Sequence, residues 1–123
     1  MKIQNSISGS TGFASNDDFS YALLRKSTNT FFAPSHGGRQ AVPIGDGFAP
    51  YIRAKMLAED LPVRINGMPV KNGQFESQYE VEIELMYYSK LDYSSLLSGT
   101  EFELIEGVRP IGAGEIISPI YAR

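Results

Sequence analysis

Residues 78–88, Gln-Tyr-Glu-Val-Glu-Ile-Glu-Leu-Met-Tyr-Tyr, constrain the fold of this chain more than any other stretch. Tyr79, Val81, Ile83, Leu85 and Tyr87 recur at every second position, with Glu80, Glu82 and Glu84 between them. Successive side chains of a strand point to opposite faces, so this spacing makes one apolar and one acidic face; a helix would scatter it. The segment reads as a half-buried strand, and its apolar face needs a second layer or a closed sheet to cover it.

The remaining sequence repeats the theme in shorter pieces. Residues 1–18, rich in Ser, Gly, Thr and Asn at their start, read as a tail or edge segment ahead of a single domain at 19–123. Phe19 to Arg25 reads as the first strand. Lys26 to Gly47 reads as one long loop, punctuated by Pro34, Gly37, Gly38, Pro43 and Gly45. Phe48 to Met56 follows as a strand that Pro50 places at an edge or bulge. Leu61 to Ile65 is a short strand. Asn66-Gly67 is a two-residue hairpin signal with Met68 to Lys71 as its return, and Asn72-Gly73 makes a further turn. Tyr93 to Ser98 reads as a helical turn.

The chain closes on a hairpin. In the strand Thr100 to Glu106, Phe102 and Leu104 alternate with Glu101 and Glu103; a tight loop follows at Glu106-Gly107-Val108-Arg109; the returning strand carries Gly112-Ala113-Gly114. The two glycines suit a place where backbones pack closely in a curved sheet. Many short strands with Gly, Pro and Asn turns, and no amphipathic helix, predict an all-β fold: a small closed antiparallel barrel of about six strands, its edges protected by closure.

Composition removes several function classes. At 123 residues there is room for one core. No run approaches the roughly 18 apolar residues of a membrane helix, and Met1 to Ser10 lacks the apolar stretch of a signal peptide. Zero cysteines exclude disulfides, thiol catalysis and zinc–cysteine sites, which fits the bacterial cytoplasm. No Gly-x-x-x-x-Gly-Lys-Ser/Thr phosphate loop occurs, so no nucleotide and no other cofactor is expected. The net charge of −3 is unevenly spread: residues 1–72 hold eight Lys or Arg against five acids, and residues 73–123 hold three against nine. Such a dipolar surface steers charged partners.

Three pieces, in order, resemble the third, C-terminal β-barrel domain of elongation factor Tu-like translation factors. Gly37-Gly38-Arg39 looks like that family's Gly-Gly-Arg loop. Gly47-Phe-Ala-Pro50, with Arg53 beyond it, looks like its Gly-Tyr-Arg-Pro element. Glu106-Gly-Val-Arg109 with Gly112-Ala-Gly114 looks like its closing hairpin. The resemblance spans about Phe19 to Ile117. It implies the same barrel, here as a stand-alone domain, and an RNA-facing set of Arg39, Arg53, Glu106, Gly107 and Arg109. The family's Arg before the proline is Ala49 here, its Gln after the proline is Tyr51, and its second loop glycine is Val108.

Three functions are expected from these residues. The first is a non-catalytic binding module for a protein partner, of an immunity or antitoxin type, using an acidic face of Glu80, Glu82, Glu84, Glu101 and Glu103; complementary charge raises association rate and specificity. The second is a translation-linked RNA-binding module using the implied RNA-facing set. The third is a small enzyme built on His36, the only histidine, in Ser35-His36-Gly37-Gly38. Adjacent residues do not form a triad, and the sequence assigns His36 no partner. The glutamate row suggests no metal site without a second carboxylate strand facing it, and Gly112-x-Gly114 lacks the rest of a dinucleotide fingerprint.

Overall fold

The computed structural model describes residues 22–123. Among the described residues there are eight strands: β1 Leu23–Phe31, β2 Tyr51–Ala54, β3 Asp60–Pro62, β4 Arg64–Asn66, β5 Gln78–Glu84, β6 Glu101–Glu106, β7 Arg109–Ile116 and β8 Tyr121–Ala122. All pairings are antiparallel, in the spatial order β3-β2-β6-β7-β1-β5-β4, with β8 also on β1. The sheet is a nearly closed barrel, as the alternation predicts.

Closure depends on residues 60–66, which serve two neighbours. Their first half pairs with β2 (Ile52↔Leu61) and their second with β5 (Ile65↔Ile83). Phe48 extends the β2 side in the same register by bridging Ile65, and the Val63 N–H donates to the Pro50 carbonyl at the bend. β3 and β4 are thus halves of one stave. β8 likewise continues β7 along β1 after the irregular 117–120 segment. Eight strands therefore make six staves.

The apolar faces meet inside. Phe31, Ile52, Val63, Ile65, Ile83 and Phe102 are fully buried, and Phe31 and Phe48 meet edge to face, 6.1 Å between centroids. Gly112 and Gly114 line the interior under β1. A β-carbon at Gly114 would collide with the Thr28 carbonyl oxygen and stand 2.7 Å from the Phe102 ring. The close approach expected of these glycines is present.

Several boundaries differ from expectation. The first strand does not end at Arg25 but continues to Phe31, and the loop begins only after it. Its inward row is polar: Arg25, Ser27 and Asn29 pair with Ile83, Val81 and Tyr79 and share their side of the sheet. Met68 to Lys71 is not a strand. β4 pairs with β5 instead, because Gly67 and Met68 turn back onto the 45–48 loop: the Gly67 N–H donates to Asp46 Oδ1 at 2.8 Å and the Met68 N–H to the Gly45 carbonyl at 3.1 Å. β5 ends at Glu84, which leaves Tyr87 half exposed rather than in the buried row. Residues 93–98 form turns only. The expected tail 1–18 and the start of the strand at Phe19 lie outside the described residues.

Chain direction fixes two ends. The connections 32–50, 67–77 and 107–108 gather at one, here the upper end; 55–59 and 85–100 gather at the lower, while 117–120 only interrupts the stave that β7 and β8 share.

Candidate functional site

The outer wall over β6, β7, β1 and β5 carries an in-register row: Glu101, Glu115, Thr28, Glu80. A second row beside it reads Glu103, Ala113, Thr30, Gln78. Between the carboxylates of these two rows the wall is made of small side chains, Thr28, Thr30 and Ala113; the next outward position of β1 is Lys26, opposite Glu82. Glu101 and Glu115 are direct cross-strand partners, and like charges so placed destabilise a sheet.

The five expected glutamates divide into two groups. Glu82 and Glu84 are tied within the fold. Glu82 accepts from the Tyr121 hydroxyl and from Arg123 Nη1, both at 2.7 Å. Glu84 accepts from Arg64 Nη1 at 3.2 Å. Glu101 has Lys55 Nζ at 3.3 Å on an exposed surface, where such a pair contributes little. Glu80 and Glu103 form no ion pair among the described residues, nor does Glu115. Sequence reasoning omitted Glu115 from the site. The two-residue loop at Gly107-Val108 alone would set Gly114 opposite Glu101 and turn Glu115 to the other face; the bulge between Leu104 and Ile105, which no local pattern announced, shifts the register by one and brings Glu115 opposite Glu101.

A shallow groove of about 270 Å³ lies beside Glu80, lined in part by Lys26, Asp46, Glu80, Glu82 and Arg123. Its mixed charge and mainly polar lining do not suit a small organic ligand, which is normally held in a largely apolar pocket.

At the upper end, four of the five residues implied by the family resemblance converge. Arg39 Nε donates to Glu106 Oε1 at 3.1 Å, its Nη1 to the Ala41 carbonyl at 3.2 Å, and its guanidinium lies 4.6 Å from the Phe48 ring centroid. Arg109 is the cross-strand partner of Glu106. Gly107 takes φ +66°, the conformation the two-residue turn demands. Arg53 stands apart, in a two-pronged pair with Asp60 at 2.6 and 3.0 Å.

His36 has a partner that the sequence did not reveal. Its Nδ1 lies 3.1 Å from Glu76 Oε2, and the same oxygen accepts the Ala33 N–H at 2.8 Å. The Ala33 bond first, and His36 second, hold the Glu76 carboxyl below its usual range. Glu76 sits at φ +61°, an uncommon conformation for a non-glycine residue. The pair is exposed, and among the described residues no nucleophile is hydrogen-bonded to His36. The arrangement clasps the Pro34–His36 turn to the 67–77 connection. Nor do the described residues contain a group of three or more His, Asp or Glu placed to hold a metal. No helix among them is long and apolar enough to cross a membrane.

The chain matches no family model and no curated protein.

Proposed function

We propose that this chain is a non-catalytic β-barrel binding module that recognises a basic protein, in the manner of an immunity or antitoxin protein. The observation that carries the reading is the wall row Glu101–Glu115–Thr28–Glu80. Two carboxylates stand directly opposite each other, and Glu80 and Glu115 form no ion pair among the described residues, while Glu103 has only Arg53, already paired with Asp60, as its cross-strand neighbour. A partner bearing Lys or Arg would neutralise the row and convert its repulsion into attraction, raising both association rate and specificity. The small side chains between the carboxylates leave the wall open to such a partner.

The test is co-purification from native cells with the wild-type chain and with Glu80, Glu103 and Glu115 changed to Lys. The proposal expects one basic protein to be recovered with the wild type and lost with the variant. Equal recovery would remove the acidic wall from the account.

A second reading is RNA binding in the manner of elongation factor Tu-like barrels, favoured by the convergence of Arg39, Glu106, Gly107 and Arg109 at the upper end. Against it, Arg39 is already committed to Glu106 and Phe48. A gel-shift titration with tRNA across salt concentrations separates the readings, since phosphate contacts give a steep salt dependence.

A further inference from the structure

We infer that the lower end of the barrel is the docking surface for this protein partner, which it meets with apolar loop tips inside an acidic border. The inference rests on the protein-partner reading above and adds where the contact is made. Among the described residues, six of the twelve exposed large apolar side chains lie in the two lower connections. They include Met56 at 91% exposure, Leu97 at 59%, Tyr88 at 52% and Tyr87 at 49%, together with Leu57 and Leu91. The upper connections expose Ile44, Val70 and Val108.

The barrel does not need these side chains for its core. The 85–100 connection already buries Tyr93 and Leu96 against it. That burial also fixes the loop: the Tyr93 hydroxyl donates to the Pro62 carbonyl at 2.7 Å and accepts the Tyr87 N–H at 3.3 Å. An apolar surface held in place before binding loses little conformational freedom on contact. Tyr and Met are enriched at the centres of protein interfaces.

The border selects the occupant. Glu59 and Asp92 in the lower connections, with Glu103 and Glu115 on the adjoining wall, form no ion pair among the described residues; Lys90 is the one unpaired cation of these connections. Asp92 is held ionised at neutral pH by hydrogen bonds from Ser94, which lower its pKa. A two-fold contact with a second copy would set these carboxylates against their equivalents, and an anionic lipid surface would be repelled. The surface fits a protein with an apolar centre ringed by Lys and Arg.

The experiment uses the full chain and a labelled amphipathic peptide of alternating Leu and Lys blocks as probe, followed by fluorescence anisotropy. The Leu/Lys peptide is expected to bind saturably and a Leu/Glu counterpart not to bind. Met56→Ser with Leu97→Ser is expected to weaken binding about tenfold or more, as loss of central apolar contacts does. Val70→Ser with Val108→Ser at the upper end is expected to leave it within about twofold, the behaviour of residues outside an interface. All four positions are exposed, so the variants should fold. Equal binding by the lower-end variant, with binding lost on Glu80→Lys and Glu115→Lys, would overturn this inference and leave the partner reading standing. Absence of any Leu/Lys binding would overturn both. Self-association that the lower-end substitutions abolish would assign the surface to a second copy and overturn the inference.

Discussion

Glu101 of β6 and Glu115 of β7 stand directly opposite each other on the outer wall, and among the described residues only Glu101 has a cation beside it, Lys55 at 3.3 Å. Cross-strand like charges cost stability, so the pair is a local conflict that the rest of the hairpin tolerates. Glu115→Lys is expected to stabilise the isolated protein by about 0.5–1 kcal/mol while weakening partner binding. Urea denaturation measures the first effect, and the gain should shrink at about 1 M salt, where screening acts over about 3 Å. Lower stability of Glu115→Lys would contradict it.

The glycines of the same hairpin should separate by mechanism. Gly114 has the Thr28 carbonyl and the Phe102 ring against any added carbon, whereas Gly107 has nothing within 4 Å and only its φ of +66° to satisfy. Gly114→Ala should cost about 2–3 kcal/mol through overpacking, and Gly107→Ala about 1 kcal/mol through backbone strain. Denaturation midpoints that place Gly107→Ala as the costlier change would contradict the close approach of β7 to β1.

Much of the fold was legible because several strands carry an apolar inward face. β5 and β6 show their period directly in Val81, Ile83, Phe102 and Leu104. The second half of β1 was not legible, because its inward positions include Ser27 and Asn29, which look like loop residues to any hydrophobicity argument. The turn at Asn66-Gly67 was visible, but not its direction, which Asp46 decides from twenty-one positions away. The candidate site was half legible. Local alternation put Glu80 and Glu103 outward. Which glutamates are tied down depends on distant partners: Arg123 for Glu82 and Arg64 for Glu84. The His36–Glu76 clasp was hidden for the same reason, forty positions separating its members.

Arg25 is 6% exposed, and burial works against its charge. Its Nη1 donates to the Ser118 carbonyl at 2.8 Å, while its Nε, like Asn29 Nδ2 farther along the same face of β1, has no hydrogen-bond partner. A buried charge without a counter-charge is costly, so Arg25→Met is expected to stabilise the protein by about 1 kcal/mol or more. Destabilisation by about 3 kcal/mol, the cost of breaking a satisfied buried pair, would contradict it.

Tyr121 should shape stability at high pH. Burial first, then its hydrogen bond to Glu82, push its phenol up from 10.0 to about 12. At pH values below the ordinary phenol range the group is protonated in both states and its contribution is intact. Between pH 10 and about 12 the unfolded chain ionises first, so stability falls as pH rises. Tyr121→Phe should flatten that decline in urea midpoints measured across the window. An unchanged slope would mean that Tyr121 titrates alike in both states.

The central claim is that the acidic wall holds a basic protein. Its most direct measurement is the affinity of the purified native partner for the wild-type chain and for the chain with Glu80, Glu103 and Glu115 changed to Lys, at low and high salt. The account predicts a loss of about a hundredfold or more at low salt, with the difference narrowing as salt screens the contact. Equal affinities for the two forms at low salt would contradict it.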